Sequence, residues 1–305
     1  MSRIASADPV SIAEAARILQ AGGLVAFPTE TVYGLGANAL DVAAVRKIFL
    51  AKERPQWDPL IVHVRDAEMA RGLTAQQLPP DLTERFWPGP LTLVVRKAAC
   101  VPDEVTAGRP TVALRVPRHP VAQALLRAAA VPIAAPSANR FGGPSPTRAE
   151  HVAADLGDRV DLILDGGPTE VGVESTVLDL TQSPPVILRP GGVTREELGG
   201  LALAPGVPDE IATKGLAGPG MTLKHYAPRA SVEVFEEEAA LRQRAEQLPG
   251  RRVGLLLKPT AQNLYAELRR LDAEGVEVIL ALLPPAEGIG LAVRDRLVRA
   301  AGRRA

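Results

Sequence analysis

The chain has 305 residues, 46% of them hydrophobic, enough apolar surface for more than one average domain. Lys+Arg and Asp+Glu number 35 each, so zero net charge disfavours bulk electrostatic capture of nucleic acid or an anionic membrane, while a local basic pocket stays open. Cys100 is the single cysteine, which excludes an internal disulfide and a cysteine-rich zinc site, and His63, His119, His151 and His225 are too scattered to show metal-ligand spacing.

In chain order, Asp8-Pro9 reads as a turn and Ser11 as the cap of a helix through about residue 19. Residues 24–27 read as a short buried strand opened by Gly22 and Gly23. Pro28 offers no N–H and is expected to end that strand in a loop over 27–38, rich in hydroxyls, one carboxylate (Glu30) and flexible glycines. A site at a strand end and a plain polar turn both fit this stretch. Asp41 is a good cap for a helix over 42–53, and Pro55 stops it. Residues 60–64, 91–95, 111–116, 131–135, 160–164, 175–180 and 186–189 read as strands. Helices are expected over 66–73, 81–87, 119–129 and 148–156, with a short one near 194–198. Because strands and helices intermix without strict alternation, the fold class is α/β with a twisted mixed sheet and flanking helices.

Residues 202–228 carry dense proline and glycine with no sustained period, and read as a linker. Beyond it, strands at 232–235, 253–257 and 276–282 alternate with helices at 238–247, 261–274 and 290–301, which predicts a small Rossmann-like α/β unit. The division is therefore 1–201, 202–228 and 229–305. No apolar signal core opens the chain and no apolar run is long enough to span a bilayer, so we expect a soluble cytoplasmic protein.

Three polar groups sit at or beside strand ends. Lys52 and Arg54, with Asp58 and His63 downstream, could grip a phosphate chain, though cations also simply suit a helix C-terminus. Ser137 and Asn139, with Ser145 and Thr147 in a Gly/Pro loop, could cradle phosphate or form a polar turn. Arg115 and Arg189 each end an apolar strand; together with Lys52 and Arg54 they would converge on a polyanion. The chain has no Walker-type phosphate loop, no nucleophile elbow and no dinucleotide fingerprint. That inventory favours positioning and charge stabilisation of a phosphate-bearing substrate over covalent catalysis.

The ordered series FPTETVYGLGAN, AKERP, PLIVH, FWPGPLT, TVALRVP, APSAN with GGPSPT, GVESTV and LRPG resembles the threonylcarbamoyl-AMP synthase family, whose catalytic part is the YrdC-like domain. The match runs from about Ser11 to Gly200, and the island GPGMTLKHYAP and the ending EGIGLAVRDRLVRAA resemble the family's two-domain branch. The resemblance implies an enzyme making threonylcarbamoyl-AMP and pyrophosphate from L-threonine, bicarbonate or CO2, and ATP with Mg²⁺. The product would pass to the tRNA threonylcarbamoyl transferase machinery that modifies the adenosine beside the anticodon. By position, Thr31, His63, Arg115, Ala135 and Ser175 would bind threonine. Arg54, Asp58, Thr111, Ser137, Ser145, Arg189 and Tyr226 would bind ATP, with Lys52, Arg54, Ser137 and Asn139 as the catalytic set. No side chain is assigned to the metal. Asp58 departs from the family's common asparagine. The resemblance also suggests that residues 202–228 form a lid placing Tyr226 on the nucleotide. Two rival readings remain: an RNA-binding module, and a carbamoyl-adenylate-forming carbamoyltransferase of hydrogenase maturation, whose zinc-binding segments a chain with one cysteine cannot supply.

Overall fold

The computed structural model describes residues 3–199 and 225–302, so most of the expected 202–228 linker and lid lies outside the described residues. The first unit contains β1 (Arg3–Ser6), α1 (Pro9–Gln20), β2 (Val25–Pro28), β3 (Tyr33–Asn38), α2 (Val42–Lys52), β4 (Ile61–His63), α3 (Ala67–Arg71) and α4 (Pro80–Phe86). It continues through β5 (Leu91–Arg96), α5 (Asp103–Thr106), β6 (Thr111–Arg115), α6 (Pro120–Ala129), β7 (Ile133–Ala134), α7 (Ala149–Leu156), β8 (Leu162–Asp165), β9 (Thr176–Asp179) and β10 (Val186–Arg189). Ten of these strands form one sheet in the order β1-β8-β2-β3-β7-β4-β6-β5-β9-β10. Its pairs mix both directions: β4 and β6 run parallel, while β7 pairs antiparallel with both β3 and β4. The expected mixed sheet with flanking helices is thus the architecture observed.

The pleat explains how the sheet is covered. In β2, Val25 and Phe27 pack with Leu19 of α1 and Leu125 of α6. Ala26, pointing the other way, joins Ile48 and Phe49 of α2 and Val152 of α7. Asp41 caps α2 as expected, accepting from the Ala43 and Ala44 N–H groups. The first helix, however, is capped by Asp8, which accepts from Val10 and Ser11, with Pro9 in the first turn. Ser11 is already helical, because proline favours N1 and moves the cap one step before it.

The largest departure from the sequence reading concerns residues 27–38. They are a hairpin, not a flexible loop: β2 runs through Pro28 and pairs antiparallel with β3. The chain turns within 29–32, where Thr29 Oγ1 donates to the Val32 carbonyl at 2.7 Å. The glycines serve close packing. A Cβ on Gly36 would lie 2.8 Å from both Ile133 Cγ2 and Phe27 Cε1. β1 and α5 add elements the sequence reading does not contain, and residues near 194–198 form a turn instead of a helix.

The second unit contains β11 (Ser231–Phe235), α8 (Glu238–Glu246), β12 (Val253–Leu256), α9 (Leu264–Ala273), β13 (Val278–Leu282) and α10 (Gly290–Ala300). Its three strands are all parallel, in the order β11-β13-β12, which is the small α/β unit expected. Leu241 of α8 covers one face with Val278 and Leu280. On the other face α9 and α10 join Val32, Val173 and Tyr226 in one cluster, so the core of the second unit continues into the first. Gly172 makes that approach possible: its φ is +83°, and a Cβ there would sit 2.3 Å from the Ala261 carbonyl oxygen.

Candidate active site

One cleft gathers residues from the ends of several strands. It is lined by Thr29, Thr31, Val32 and Gly34 of the hairpin, Ile61 and His63 of β4, and Arg115 of β6. Ala135, Pro136 and Ser137 follow β7, Glu174 and Ser175 precede β9, and Arg189 ends β10; Arg54, His225 and Tyr226 complete the wall. Among the described residues, the structure therefore brings together Thr31, His63, Arg115, Ala135, Ser175, Arg54, Ser137, Arg189 and Tyr226. Lys52, Asn139, Asp58, Thr111 and Ser145 do not line the cleft. Thr111 begins β6 opposite Arg96, at the end of the strand away from Arg115.

The arginines are held in place rather than left loose. Arg115 donates through Nε to the Gly89 carbonyl at 3.2 Å, through Nη1 to Thr31 Oγ1 at 3.0 Å, and through Nη2 to Glu30 Oε1 at 2.7 Å. Burial alone would raise the Glu30 carboxyl, but the Arg115 guanidinium holds it below its ordinary value. Arg189 donates to the Ser175 carbonyl, and through Nη2 to Ser175 Oγ at 3.2 Å. Arg54 donates to the Asp58 and Pro59 carbonyls and pairs with Asp58 Oδ2 at 2.9 Å. Burial pushes Asp58 up despite that guanidinium, and the same burial pushes Arg54 down. Among the described residues neither Asp58 oxygen has a hydrogen bond beyond this ion pair, so the pair is poorly compensated.

Lys52 differs from the phosphate-facing lysine suggested by its spacing. Its buried ammonium donates to the Ser137 and Asn139 carbonyls, so it fixes the loop after β7. Burial, and then the neighbouring Arg54 charge, lower its pKa well below the usual lysine value. Asn139 strengthens the same loop by donating to the Arg140 and Gly143 carbonyls and accepting from Ser137 Oγ. That loop carries Phe141 and Gly142, which pack against residues 225–227. Ala227 N–H donates to the Gly142 carbonyl at 2.8 Å, and the His225 ring stands edge-on to Phe141 at 5.4 Å. Tyr226 is 1% exposed and adopts φ 62°. A non-glycine residue keeps that left-handed conformation only where its surroundings hold it. Tyr226 both lines the cleft and belongs to the second unit's core.

His63 is buried, and its Nδ1 has no hydrogen-bond partner among the described residues. Burial, aided by Arg115, lowers its pKa to about 3, so the ring is neutral and offers one donor and one acceptor. Glu174 is the main cleft residue that sequence reasoning missed. Its carboxylate accepts from Ser145 Oγ, from Tyr265 Oη at 2.9 Å and from Arg296 Nε at 2.8 Å. Burial would raise it, but Arg296 and Arg189 hold it down at about 2. The signal available was a lone acid inside the otherwise small and apolar GVESTV run.

With a folded-state pKa depressed from 4.5, the stability that Glu174 contributes is complete above about pH 4.5 and is lost as pH falls toward 2. Melting curves between pH 6 and 3 should show this. Glu174→Gln is expected to melt lower at pH 6 and to lose less on acidification than the unaltered chain. Parallel losses would remove Glu174 as the acid-labile group.

Among the described residues no three His, Cys, Asp or Glu side chains cluster as a metal site. No described helix is long and apolar enough to cross a membrane.

Known proteins match this arrangement along the chain. The family described as Telomere recombination matches residues 17–191, and the one described as Threonylcarbamoyl-AMP synthase, C-terminal domain matches residues 193–302. A threonylcarbamoyl-AMP synthase of Pyrococcus abyssi is 46% identical over 95% of this chain and 94% of its own length. One of Bacillus subtilis is 45% identical over 97% and 94%. The crystal structure of P. abyssi Sua5 complexed with L-threonine superposes with a TM-score of 0.89 at 43% identity, covering 100% of this chain and 98% of that one. With both units matched at this identity, the chain belongs to the threonylcarbamoyl-AMP synthase family, in its two-domain form.

Proposed function

We infer that this chain forms threonylcarbamoyl-AMP and pyrophosphate from L-threonine, bicarbonate or CO2, and ATP. The observation that carries the reading is a single cleft with two kinds of anion seat. One is Arg115 with Thr31 and His63, suited to an amino-acid carboxylate and its polar side chain. The other is Arg54 and Arg189 with Ser137, suited to a phosphate chain.

In this reading the neutral threonine amine adds CO2, loses a proton and becomes an N-carboxylate. One of that carboxylate's oxygens attacks the α-phosphorus, the bond from α-phosphorus to the bridging oxygen breaks, and pyrophosphate leaves with the electron pair. An anion is driven onto an anion, so Arg54 and Arg189 would offset charge while Ser137 orients the phosphate. Lys52 and Asn139 would act by holding the loop that carries Ser137. Asp58 would act through Arg54, and Ser145 through Glu174. Tyr226 would close the nucleotide side of the cleft. A Mg²⁺ arriving with ATP takes most of its ligands from phosphate oxygens and water. A cleft of guanidinium groups and hydroxyls fits an ion so carried, which would screen the triphosphate charge. The downstream acceptor would be the machinery that moves the threonylcarbamoyl group to tRNA beside the anticodon.

The direct test is pyrophosphate release that requires ATP, L-threonine and bicarbonate together, with the adenylate identified by mass. Release that ignores threonine or bicarbonate would sink the reading. Side-chain selection gives a second check. His63 Nδ1 lacks a partner among the described residues, and the Thr31 and Ser175 hydroxyls line the same cleft. Valine, a near-isostere without the hydroxyl, should leave His63 Nδ1 without a partner, lowering kcat/KM by at least about a hundredfold against threonine. Comparable rates with valine would remove these residues as hydroxyl partners.

A further inference from the structure

Arg296 is a fully buried arginine on α10 of the second unit that does not line the cleft. Yet it touches three pieces of the cleft wall. Its Nε donates to Glu174 Oε2 at 2.8 Å, and its Nη1 donates to the carbonyl of Pro190, the residue after Arg189, at 2.9 Å. Its guanidinium carbon lies 5.2 Å from the centroid of the Tyr226 ring. Nη2 has no hydrogen-bond partner among the described residues, and the flat cation packs on the ring face. Asp295, itself paired with Arg299, supplies a second carboxylate at 2.6 Å. Tyr265 of α9 bonds both oxygens of Glu174, and the remaining capacity of that carboxylate takes Ser145 Oγ.

A well-packed apolar contact would join two units at least as stably as a buried charge. What an apolar contact lacks is direction. Here the fork of Arg296 fixes the angle of Glu174, the position of the Arg189–Pro190 backbone and the plane of Tyr226 at once. We propose that Arg296 is a positioning residue for the nucleotide half of the cleft. It acts through Glu174, a cleft residue whose carboxylate Ser145 also holds, and through its face on Tyr226. The second unit is then a working part of the nucleotide seat. This rests on the nucleotide reading given above.

The test uses the full chain, Arg296→Lys, Ser145→Ala and the double variant. Lysine keeps the charge and loses the fork. Calorimetric binding of α,β-methylene-ATP with Mg²⁺ is measured beside KM for ATP and for L-threonine, and beside thermal melts. Arg296→Lys is expected to weaken analogue binding and raise the ATP KM about tenfold, with the threonine KM within about twofold. In the Ser145→Ala background the same change should have a smaller effect than in the unaltered chain, because the part carried by Glu174 is shared by both. A lowered melting temperature with unchanged analogue binding would make Arg296 a scaffold residue only and overturn the proposal. So would additive effects, or equal losses for both substrates. If Arg296→Lys does not fold, Tyr265→Phe removes one hydroxyl from Glu174 without a charge change. It should weaken the analogue about threefold, and unchanged binding would overturn the proposal. A chain that makes no adenylate but binds the analogue, more weakly when Arg296 is altered, overturns the activity and supports this inference. A chain that does not bind the analogue overturns both.

Discussion

Arg54→Ala is expected to reduce adenylate formation about a hundredfold, mostly through the ATP KM and kcat together. The loss has two sources. A charge-assisted contact to a phosphate in a buried cleft disappears. In addition, Asp58 is 0% exposed, and its carboxylate is ion-paired with Arg54 at 2.9 Å. Without that guanidinium, a buried carboxylate behind the phosphate seat loses its ion-pair partner. Lys52→Ala should also lose about tenfold or more, by another route. Its ammonium holds the Ser137 and Asn139 carbonyls, so the loop would loosen and Ser137 with it. The two routes separate experimentally. Arg54→Ala should respond to Asp58→Asn as a second change, recovering part of the ATP affinity, whereas Lys52→Ala should not. Near-normal activity in both single variants would end the assignment of these cations to the phosphates.

The second large effect is expected at Arg115. Its three nitrogens are fixed by Gly89, Thr31 and Glu30, which aims the remaining N–H groups without rotamer freedom. Arg115→Ala should raise the threonine KM by about a hundredfold or more while the ATP KM changes little. It should also lower stability by about 3 kcal/mol, because the buried Glu30 carboxylate loses its partner. Arg115→Lys should recover part of the stability and little of the threonine affinity, since one ammonium cannot reproduce the fork. Steady-state kinetics with both substrates varied, beside urea melts, checks this. A rise in the ATP KM alone would place the carboxylate seat elsewhere.

Much of this protein is fixed by local sequence. Strands are β-rich apolar runs flanked by breakers, and Asp41 caps α2 because a carboxylate before a helical run satisfies its first N–H groups. Polar side chains at the ends of such runs mark where strand ends meet, which is why Arg115, Arg189, His63 and Ser137 were legible as residues of one cleft. The ordered motifs carry the family, because many short matches in one order constrain the chain together. Other features depended on distance in space. Gly34 and Gly36 read as flexible, but Ile133 and Phe27 leave Gly36 no room for a side chain and Ala135 crowds Gly34, and that crowding comes from the β7 segment and from across the hairpin. Lys52 read as a phosphate ligand, but only the packing of the loop after β7 over the end of α2 brings two carbonyls to its ammonium. Glu174 had no local partner to betray it: the arginine that holds its charge lies 122 residues later. An ion pair depends on charge and distance, and sequence supplies the charge, while only the packing of the second unit on the first supplies the distance.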